Sequence, residues 1–538
     1  MSDMTAALVL GPLLRNVTER TATLWVETTE ACEVSALGRT ERTFTVHGHH
    51  YALVDVEELE PGSTTPYEVL LDGKKVWPQP GSEFPSSVIR TVDPSRPARI
   101  AFGSCRVSPA SQETHGVDAL SAFAHELKNG AEPPTALTMI GDQVYADATG
   151  ERMRDFIKGR RDIDSGAGEE IADFEEYTEL YRLAWMTDPA VRWLFSTVPV
   201  YSIFDDHDVR DDWNTSYVWR QWVAEQPWWK SRIVGGLGSY WVYQHLGNLT
   251  PQQRRDDALY QRIKELDDGG AILDEFAEQA DLKPETARWS FRIDLGGTRV
   301  VVIDTRASRL LTETRRAMLD DAEQAWVDDQ LTGDVDQLLI ASSLPFLLPR
   351  TIHHLEAWNE KIAAGGRRND HTRNKLAEKI RQAIDLEHWA AFGESFEAIA
   401  KAVTEVVQGQ RGKAPQHVSF LGGDVHYSYL ARVKGLPINQ IVCSPFRNPL
   451  GAKFQWANRL AAMVWGNIPA RLVAKTARVP RPPLRWRLTD GPWFDNAIAT
   501  VSRDEVVWQA PSGPTALTEL HRAPLDYRRT RKASGEER

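Results

Sequence analysis

The chain has 538 residues, of which 42% are hydrophobic, 26% charged and 9% aromatic. A chain of this length and composition buries a large core, which excludes wholesale disorder and collagen-like repeats. At about 150 residues per domain, the length predicts two to four structural units. The net charge of −12 argues against general polyanion binding but leaves local basic patches open.

Cysteine usage and the N-terminal sequence predict a cytoplasmic protein. Cys32, Cys105 and Cys443 are too few for a disulfide framework and leave at least one thiol free, which is typical of a reducing compartment. Asp3 stands where a signal peptide needs basic residues, and no twin-arginine pair precedes the first apolar run. We find no apolar stretch long enough to span a bilayer, so we expect no membrane span.

Residues 1–95 predict an all-β domain. Short alternating segments are separated by turn sequences such as Glu60-Pro-Gly-Ser; the segments are 21–27, 43–47, 51–56, 67–71 and 88–92. Their regular spacing predicts an immunoglobulin- or fibronectin-like β-sandwich with Trp25 in its core. His47, His49 and His50 are either surface residues or metal ligands, and the surface interpretation is favoured.

Residues 96–527 change to apolar strands that alternate with helical segments, which predicts an α/β domain. Six apolar strands each end in a polar cluster; these clusters are Gly103-Ser-Cys-Arg, Gly141-Asp-Gln-Val-Tyr-Ala-Asp, Asp205-Asp-His-Asp, Asp304-Thr-Arg, Ser342-Ser-Leu-Pro and Gly422-Gly-Asp-Val-His. Such strands are buried on both faces, and ligands bind beyond their carboxyl ends. The side chains expected to meet there are Cys105, Asp142, Asp205, Asp206, His207, Asp424 and His426.

Helices are predicted between these strands. Residues 174–194 form an amphipathic, aromatic-rich segment. Residues 367–407, broken near Gly393, predict a helical insertion that partly covers the site. The polar residues 528–538 predict a disordered tail.

The polar clusters predict a metal centre. Several buried carboxylates repel one another and protonate unless cations compensate them. Two cations about 3.5–4 Å apart can clamp a phosphoryl group and generate hydroxide near neutral pH. A cysteine and a tyrosine among the ligands favour ferric iron at one position. Each motif alone has a structural interpretation, such as Asp142 capping a helix, but their ordered occurrence at strand ends argues against coincidence.

Taken together, the motifs resemble those of the PhoD-like (alkaline phosphatase D) metallophosphatases, cousins of the purple acid phosphatases in the calcineurin-like superfamily. They are Gly103-Ser-Cys-Arg, Gly141-Asp-Gln-Val-Tyr, Asp205-Asp-His-Asp, Val302-Ile-Asp-Thr-Arg and Gly423-Asp-Val-His. The resemblance covers nearly the whole chain. It implies a four-layer αββα catalytic fold after the β-sandwich, a centre of Fe³⁺ and Ca²⁺, and hydrolysis of phosphate esters by in-line attack of a metal-bound hydroxide.

The resemblance also implies roles for single residues. Asp142 would bridge the metals, and His207 would serve the leaving group. Cys105, Tyr145 and His426 would bind iron, and Asp206 and Asp424 the second metal. The second-metal ligand stays open among Asp205, Asp206, Asp211 and Asn214, because the residues after His207 depart from the family pattern. Since calcium is scarce in a cytoplasm, Mn²⁺, Mg²⁺ or Zn²⁺ are alternatives for that metal.

Two arginines and two histidines are further candidates. Arg106 and Arg306 follow strand ends and are expected to hold phosphate, because the guanidinium fork matches phosphate oxygens. For Arg306 a structural ion pair with Asp304 or another acid is an equally good interpretation. His353 and His354 follow the fifth strand and are either ligands or part of a helix start.

A basic segment, defined as residues 425–489, contains no Asp or Glu. It carries 11 basic residues in a chain of net charge −12. Three interpretations follow in decreasing order of preference: arginines covering apolar surface, a rim that attracts anionic esters, and contact with an anionic membrane through residues 460–477.

The sequence thus predicts a metal-dependent phosphomonoesterase acting on a small-molecule or lipid phosphate ester, with no specific nucleic-acid partner. The first alternative is a phosphodiesterase or phospholipase-D-like activity of the same site. A second alternative, from a different class, is a binding protein with a degenerate site, which the intact set of ligand types disfavours.

Overall fold

The computed structural model describes residues 6–109, 113–364, 377–382, 386–462 and 467–525. The predicted tail, residues 528–538, lies outside these ranges. So do residues 367–376 and 383–385 of the predicted helical insertion. The remainder of that insertion is helical at residues 377–382, Trp389–Ala391 and Gly393–Val407.

The N-terminal part consists of two antiparallel four-stranded sheets. In spatial order the first contains Leu8–Val17, Ala22–Thr28, His49–Val56 and Phe44–Val46, and the second contains Arg39–Arg42, Glu33–Ala36, Val69–Leu71 and Lys74–Trp77. A short ribbon pairs Val88–Arg90 with Thr64–Pro66. Alternate residues such as Leu24, Val26 and Val34 fill the core between the two sheets. The β-rich prediction is confirmed, whereas the immunoglobulin-like type of sandwich stays a prediction.

Trp25 lies on the other face of the first sheet, not in the core between the two sheets. Its indole Nε1 donates to the carbonyl of Val242 at 3.0 Å, and its ring packs against those of Tyr51 and Tyr243. Arg15 donates from the same face to the Tyr243 carbonyl at 3.1 Å. This face therefore joins the N-terminal sheets to the rest of the chain through a shared buried core.

Two larger mixed sheets form the rest of the fold. In spatial order the six-stranded sheet contains Val200–Ile203, Ala136–Ile140, Ile100–Gly103, Ile498–Val501, Glu505–Gly513 and Ala516–Pro524. The seven-stranded sheet contains Phe291–Leu295, Thr298–Ile303, Gln337–Ser342, Val418–Gly422, Ile438–Val442, Ser428–Val433 and Trp486–Trp493. A two-stranded ribbon pairs Leu310–Leu311 with Arg316–Ala317. The six apolar strands predicted from the sequence are parallel and divide evenly, three in each sheet.

The seven-stranded sheet is buried on both faces. Val300 and Val302 belong to the core shared with the six-stranded sheet, whereas Val301 and Ile303 face a second core. Helices Asp321–Gln330 and Gly393–Val407 supply much of that second core. The mixed α/β class is confirmed, and the continuous apolar strands reflect burial from both sides.

The helices surround these sheets. They are Ala119–Lys128, Glu151–Arg160, Phe174–Met186, Pro189–Thr197, Tyr217–Ala224, Trp229–Tyr240, Leu246–Asn248, Pro251–Asp256, Ala258–Lys264, Gly270–Leu282, Asp321–Gln330, Arg350–Ala364, Gly393–Val407, Ala452–Ala462 and Asn467–Thr476. Single turns of 3₁₀ helix are Glu113–His115, Asp206–Asp208, Pro284–Thr286 and Trp389–Ala391, and a π-turn covers Trp241–His245. The predicted segment 174–194 is two helices, because Asp188 caps a new helix that has Pro189 at its first position. Among the described residues no helix has the length and apolar character needed to cross a bilayer.

Candidate metal centre

The loops that follow the parallel strands of both sheets meet where the two sheets come together. Gly141, at the end of its strand, makes this approach possible, because a Cβ there would lie 2.7 Å from the Cβ of Asp205 and 2.9 Å from that of Ser343. Its φ of +102° also favours glycine. A residue with a side chain at this position would push the two loops apart.

Seven side chains from these loops form one continuous cluster. They make up three overlapping groups, in each of which one ligand atom per residue lies within 4.8 Å of the others: Cys105, Asp142 and His426; Asp142, Asp206 and His207; Asp205, Asp206 and Asp424. Asp142 and Asp206 are the shared members. The structure therefore brings together the strand-end residues that the sequence placed at one site.

The backbone at this cluster adopts an unfavourable conformation. Cys105, Asp142, Asp424 and His426 have φ values of 54°, 52°, 61° and 56°. Residues with a Cβ rarely occupy this left-handed region, and each costs about 1–3 kcal/mol unless its surroundings impose it. Four of seven clustered residues share this feature, so the fold holds these side chains in place at a cost in stability.

The first group offers a mixed set of donor atoms. The Cys105 thiol is buried and lies 3.2 Å from the Ser104 hydroxyl and 3.3 Å from that of Ser444. Tyr145, which the sequence predicted as an iron ligand, donates its hydroxyl to Asp142 at 3.4 Å and accepts from Asn448 at 2.9 Å. Sulfur, imidazole, carboxylate and phenol in one place suit an iron-like transition metal.

The third group offers only carboxylate oxygens, from Asp205, Asp206 and Asp424. An all-oxygen set suits a hard divalent cation such as Ca²⁺, Mg²⁺ or Mn²⁺. The other two candidates for this position are used differently. Asp211 has an exposed carboxylate, and Asn214 donates to the Arg306 carbonyl at 3.0 Å while accepting from Arg220.

The pKa values of the clustered carboxylates indicate that the described residues do not fully balance their negative charge. Burial, reinforced by neighbouring carboxylates, raises the pKa of Asp142 well above its usual range. Burial also raises the pKa of Asp205 and of Asp206, although Arg306 opposes it. Asp142 Oδ1 and Asp205 Oδ2 are buried and have no hydrogen-bond partner among the described residues. Buried carboxylates left in this state require cations or protons, so the residues present fit a metal centre.

The predicted nitrogen ligand, His426, and the predicted sulfur ligand, Cys105, differ in what they need in order to bind a metal. Burial lowers the pKa of His426 to about 4, so its imidazole is neutral and free to coordinate. Burial, together with the charges of Asp142 and Asp424, raises the pKa of the Cys105 thiol well above its usual range. A Cys105 thiolate therefore forms at neutral pH only against a cation.

His207 is held by Asp147, a carboxylate of the strand-end cluster 141–147 for which no particular role was predicted. Its Nδ1 lies 2.8 Å from Asp147 Oδ2, and its ring packs on that of Tyr145 at 4.7 Å. Burial lowers the pKa of His207, but Asp147 and Asp206 outweigh it and raise the pKa well above the usual value. Nε2 lies 3.9 Å from the exposed Asp211, so a proton on this atom faces the open side of the site.

Two further groups were missed. Asp208 accepts backbone N–H groups from Asp142, Gln143 and Asp205 at 2.8–3.2 Å, which ties two ligand loops together. His388 lies between two carboxylates, with Nε2 3.0 Å from Asp424 and Nδ1 2.8 Å from Glu356. His388 follows a helical pattern in the predicted insertion, and no local sequence signal distinguishes it.

The two arginines expected to hold phosphate are buried and already paired. Arg106 forms a salt bridge to Asp118 at 2.7 Å and donates to the Ala184 carbonyl. Arg306 pairs with Asp205, with Asp206 at 3.2 Å and with Glu387 at 2.6 Å. These contacts favour structural roles, because a phosphate could reach either guanidinium only if internal ion pairs opened. Phosphate binding by these arginines stays a prediction.

The remaining histidine candidates lie away from the cluster. His353 packs against Phe396 and Trp486, and His354 is its neighbour on helix Arg350–Ala364. His47 and His49 contact carboxylates, and His50 contacts Thr45. Among the described residues none of them belongs to a metal-compatible group.

The geometry just described defines a candidate binuclear metal centre on two packed mixed sheets, and sequence comparison assigns its family. A model of the PhoD-like phosphatase family matches residues 107–452, which is more than half of the chain. The chain therefore belongs to the PhoD-like phosphatases, a family of phosphoric-ester hydrolases, as the strand-end motifs predicted. A second model, described as a domain of unknown function (DUF7800), matches residues 5–89. No curated protein matches the sequence.

The chain is also similar to solved structures. A structure titled "Structure of PhoD" is 12% identical, with a TM-score of 0.58, and the match covers 97% of this chain and 93% of the other. Purple acid phosphatase PPD1 from yellow lupin (Lupinus luteus) seeds is 10% identical, with a TM-score of 0.47 over 93% of this chain and 71% of the other. At 12% identity the first match establishes the fold and no more.

Proposed function

We propose that the chain is a metal-dependent phosphoesterase that hydrolyses a small-molecule or lipid phosphate monoester. The observation that carries the proposal is the cluster of seven metal-ligating side chains at the ends of strands from both sheets, in which Asp142 Oδ1 and Asp205 Oδ2 are buried and have no hydrogen-bond partner among the described residues. We also propose that residues 1–95 form an immunoglobulin-like sandwich and that residues 96–527 form a four-layer αββα domain.

Cys105, Asp142, Tyr145 and His426 would hold ferric iron, and Asp206 and Asp424 the second ion. Asp142 would bridge the two ions, as the resemblance implies, and it shares one metal-compatible group with Asp206. Asp205 is a third oxygen donor at the second position and shares Arg306 with Asp206. We assign Ca²⁺ to that position, with Mn²⁺, Mg²⁺ and Zn²⁺ as the alternatives. When bound, such ions supply Lewis acidity that polarises phosphoryl oxygens and lowers the pKa of water.

His207 would deliver the proton that the leaving alkoxide needs. Asp147 fixes the imidazole through Nδ1 and stabilises its protonated form. The proton on Nε2 is then the one that faces the open side of the site. A positioned acid of this kind contributes about 10²–10⁴-fold to the rate.

The stereochemistry of hydrolysis tests this proposal. Direct attack of water in line with the leaving group inverts the configuration at phosphorus, because a single displacement occurs. The substrate is a phosphorothioate ester whose phosphorus is chiral because it carries one sulfur and an oxygen isotope. We expect inversion when this ester is hydrolysed in water labelled with a different oxygen isotope. Retention would indicate a covalent phosphoenzyme and contradict the proposal.

Monoester and diester substrates are separated by parallel assays. Nitrophenyl phosphate and bis-nitrophenyl phosphate differ by one charge and one bulky group. Preference for the monoester supports the proposal, and preference for the diester assigns the same site to a phosphodiesterase or phospholipase-D-like activity. If protein that contains metal hydrolyses neither substrate, the result favours a binding protein with a degenerate site.

A further inference from the structure

The basic segment, residues 425–489, contains no acid, and most of its basic side chains are exposed. Eight of its 11 basic side chains are exposed: Lys434, Lys453, Arg459, Lys475, Arg478, Arg481, Arg485 and Arg487. In the part of the chain that the structure describes, none of these eight forms a salt bridge to another described residue. Since the whole chain carries −12, the remainder outside this segment carries −23. The segment is therefore a local positive surface on an acidic protein.

Large apolar side chains of the same segment are exposed as well. Of the 12 large apolar side chains that are exposed among the described residues, six lie on the two helices Ala452–Ala462 and Asn467–Thr476. Phe454, Trp456 and Ile468 are 66%, 64% and 63% exposed, and Leu472 is 57% exposed. Exposed apolar groups are normal when scattered singly, but half of them on two short helices form a patch that requires a partner.

The packing of the second helix explains why this face is left open. Asn467–Thr476 buries the small residues Ala470 and Ala474 and packs on helix Arg350–Ala364. Ile468 and Leu472, one turn apart, point away from that contact, and Lys475 follows them on the exposed side. The helix thus uses its small residues for the fold and presents its large ones, with a lysine, to the outside.

We propose that these two helices dock on the surface of an anionic phospholipid bilayer. Amphipathic helices that lie in a membrane interface combine Trp, Phe and Leu on one side with Lys and Arg beside them, and lack acids near the contact. Each basic residue close to an anionic lipid surface strengthens binding, and the aromatic and aliphatic side chains insert between the headgroups. The two helices expose aromatic and basic side chains together and contribute no acid of their own, and this combination matches a lipid surface better than it matches a groove-binding peptide.

The surface is connected to the metal centre by two short paths. Asn448, which donates to Tyr145, lies four residues before helix Ala452–Ala462. Helix Arg350–Ala364, on which the second exposed helix packs, carries Glu356, the partner of His388. The docking itself does not depend on the proposed function.

Vesicle co-sedimentation of the full chain tests the proposal. We expect binding to vesicles of equal parts phosphatidylcholine and phosphatidylglycerol, little binding to phosphatidylcholine alone, and weaker binding at high salt. Phe454→Ala combined with Trp456→Ala should weaken binding about tenfold or more, since both side chains lose apolar contact with lipid. Trp222→Ala combined with Leu282→Ala is the matched control, because both residues are exposed elsewhere and should leave binding unchanged.

A charge-reversal pair completes the test. Lys453→Glu with Lys475→Glu should reduce binding to the anionic vesicles about tenfold or more, whereas Lys230→Glu with Lys401→Glu, exposed lysines outside the basic segment, should not. Equal effects of test and control variants, or no preference for anionic vesicles at low salt, would overturn the proposal. So would a concentration-dependent dimer that the Phe454→Ala and Trp456→Ala variant abolishes, because a second copy would then cover the patch. Unchanged vesicle binding with a raised KM for a soluble ester would assign the lysines to substrate attraction instead.

Discussion

Asp147 Oδ2 lies 2.8 Å from Nδ1 of His207 and 2.6 Å from the backbone N–H of Asp211. One buried carboxylate thus fixes both the imidazole and the loop that follows it. The carboxylate also raises the pKa of His207 against the effect of burial, which keeps the ring protonated. Asp147 is therefore a positioning residue for the proposed proton donor.

Replacing this carboxylate should alter both rate and pH dependence. Asp147→Asn keeps the shape of the side chain but removes the charge that raises the pKa of His207. Because the acid form of His207 is the active one, activity falls as pH rises through its pKa, and the variant should show this alkaline limb at lower pH. We expect kcat to fall about 10²-fold for an alkyl phosphate, measured across a pH series. Asp155→Asn, at an exposed aspartate on helix Glu151–Arg160, is the control, and an unmoved alkaline limb would remove Asp147 from this role.

Cys105 should be required for metal, and Cys32 should not. The buried Cys105 thiol has a pKa raised by burial and by two carboxylates, so it becomes a thiolate only beside a cation. Cys105→Ser should lower the iron content of the purified protein by at least half, as measured by elemental analysis, with a matching loss of activity. Cys32→Ser, a buried cysteine of the N-terminal sheets, should retain both. Full iron content in the Cys105→Ser protein would exclude the thiol as a ligand.

His388 should hold Asp424 in place for the second ion. It contacts Asp424 at 3.0 Å and is held in turn by Glu356 at 2.8 Å. Partners of this kind orient ligands, and their loss costs about 10–100-fold in metal affinity. We expect Glu356→Gln and His388→Gln to raise the concentration of divalent ion needed for half-maximal activity by that factor, with kcat largely restored at saturation. His50→Gln serves as the control; a lower kcat at saturating ion would point to a direct catalytic role for His388.

His49 should stabilise the protein in a defined pH range. It bridges Glu27 at 3.1 Å and Glu175 at 2.7 Å, which joins the N-terminal sheets to helix Phe174–Met186. Burial acts to lower the pKa of His49, but the two carboxylates raise it to about 9. Because the folded-state pKa lies above the unfolded value of about 6.5, this stabilisation is complete below pH 6.5 and is lost as pH rises through 9.

The corresponding variant is His49→Gln. Its free energy of unfolding should lie about 1–2 kcal/mol below that of the parent near pH 6, since solvent screens part of the attraction. The difference should shrink above pH 9. Urea unfolding at several pH values measures it. A difference that does not change with pH would mean that His49 contributes through packing alone.

Much of the fold was predictable because burial leaves a pattern in the sequence. Strands such as Val300–Ile303 and Leu338–Ala341 are apolar without interruption, since one face contacts the other sheet and the next face contacts helices. The residues at their ends could be assigned to one place because parallel strands end at one edge. In the C-terminal antiparallel strands, such as Glu505–Gly513, buried residues alternate with less buried ones. This pattern is weaker in the sequence, and these strands were not predicted.

The supporting residues of the site were not predictable in the same way. Asp147 and His388 act through contacts 60 and 36 positions away along the chain, which no local spacing encodes. The left-handed φ of Cys105 is likewise imposed by the folded surroundings, because cysteine rarely adopts this conformation. Arg306 followed a strand end as a phosphate ligand would, yet its partners come from other loops.

The most direct test of the metal centre is anomalous diffraction from crystals of the active protein. We predict an iron peak among Cys105 Sγ, Asp142 and His426, and a second ion among Asp205, Asp206 and Asp424. Ions found only elsewhere in the molecule, or full activity in protein whose cluster is shown to be free of metal, would contradict the account.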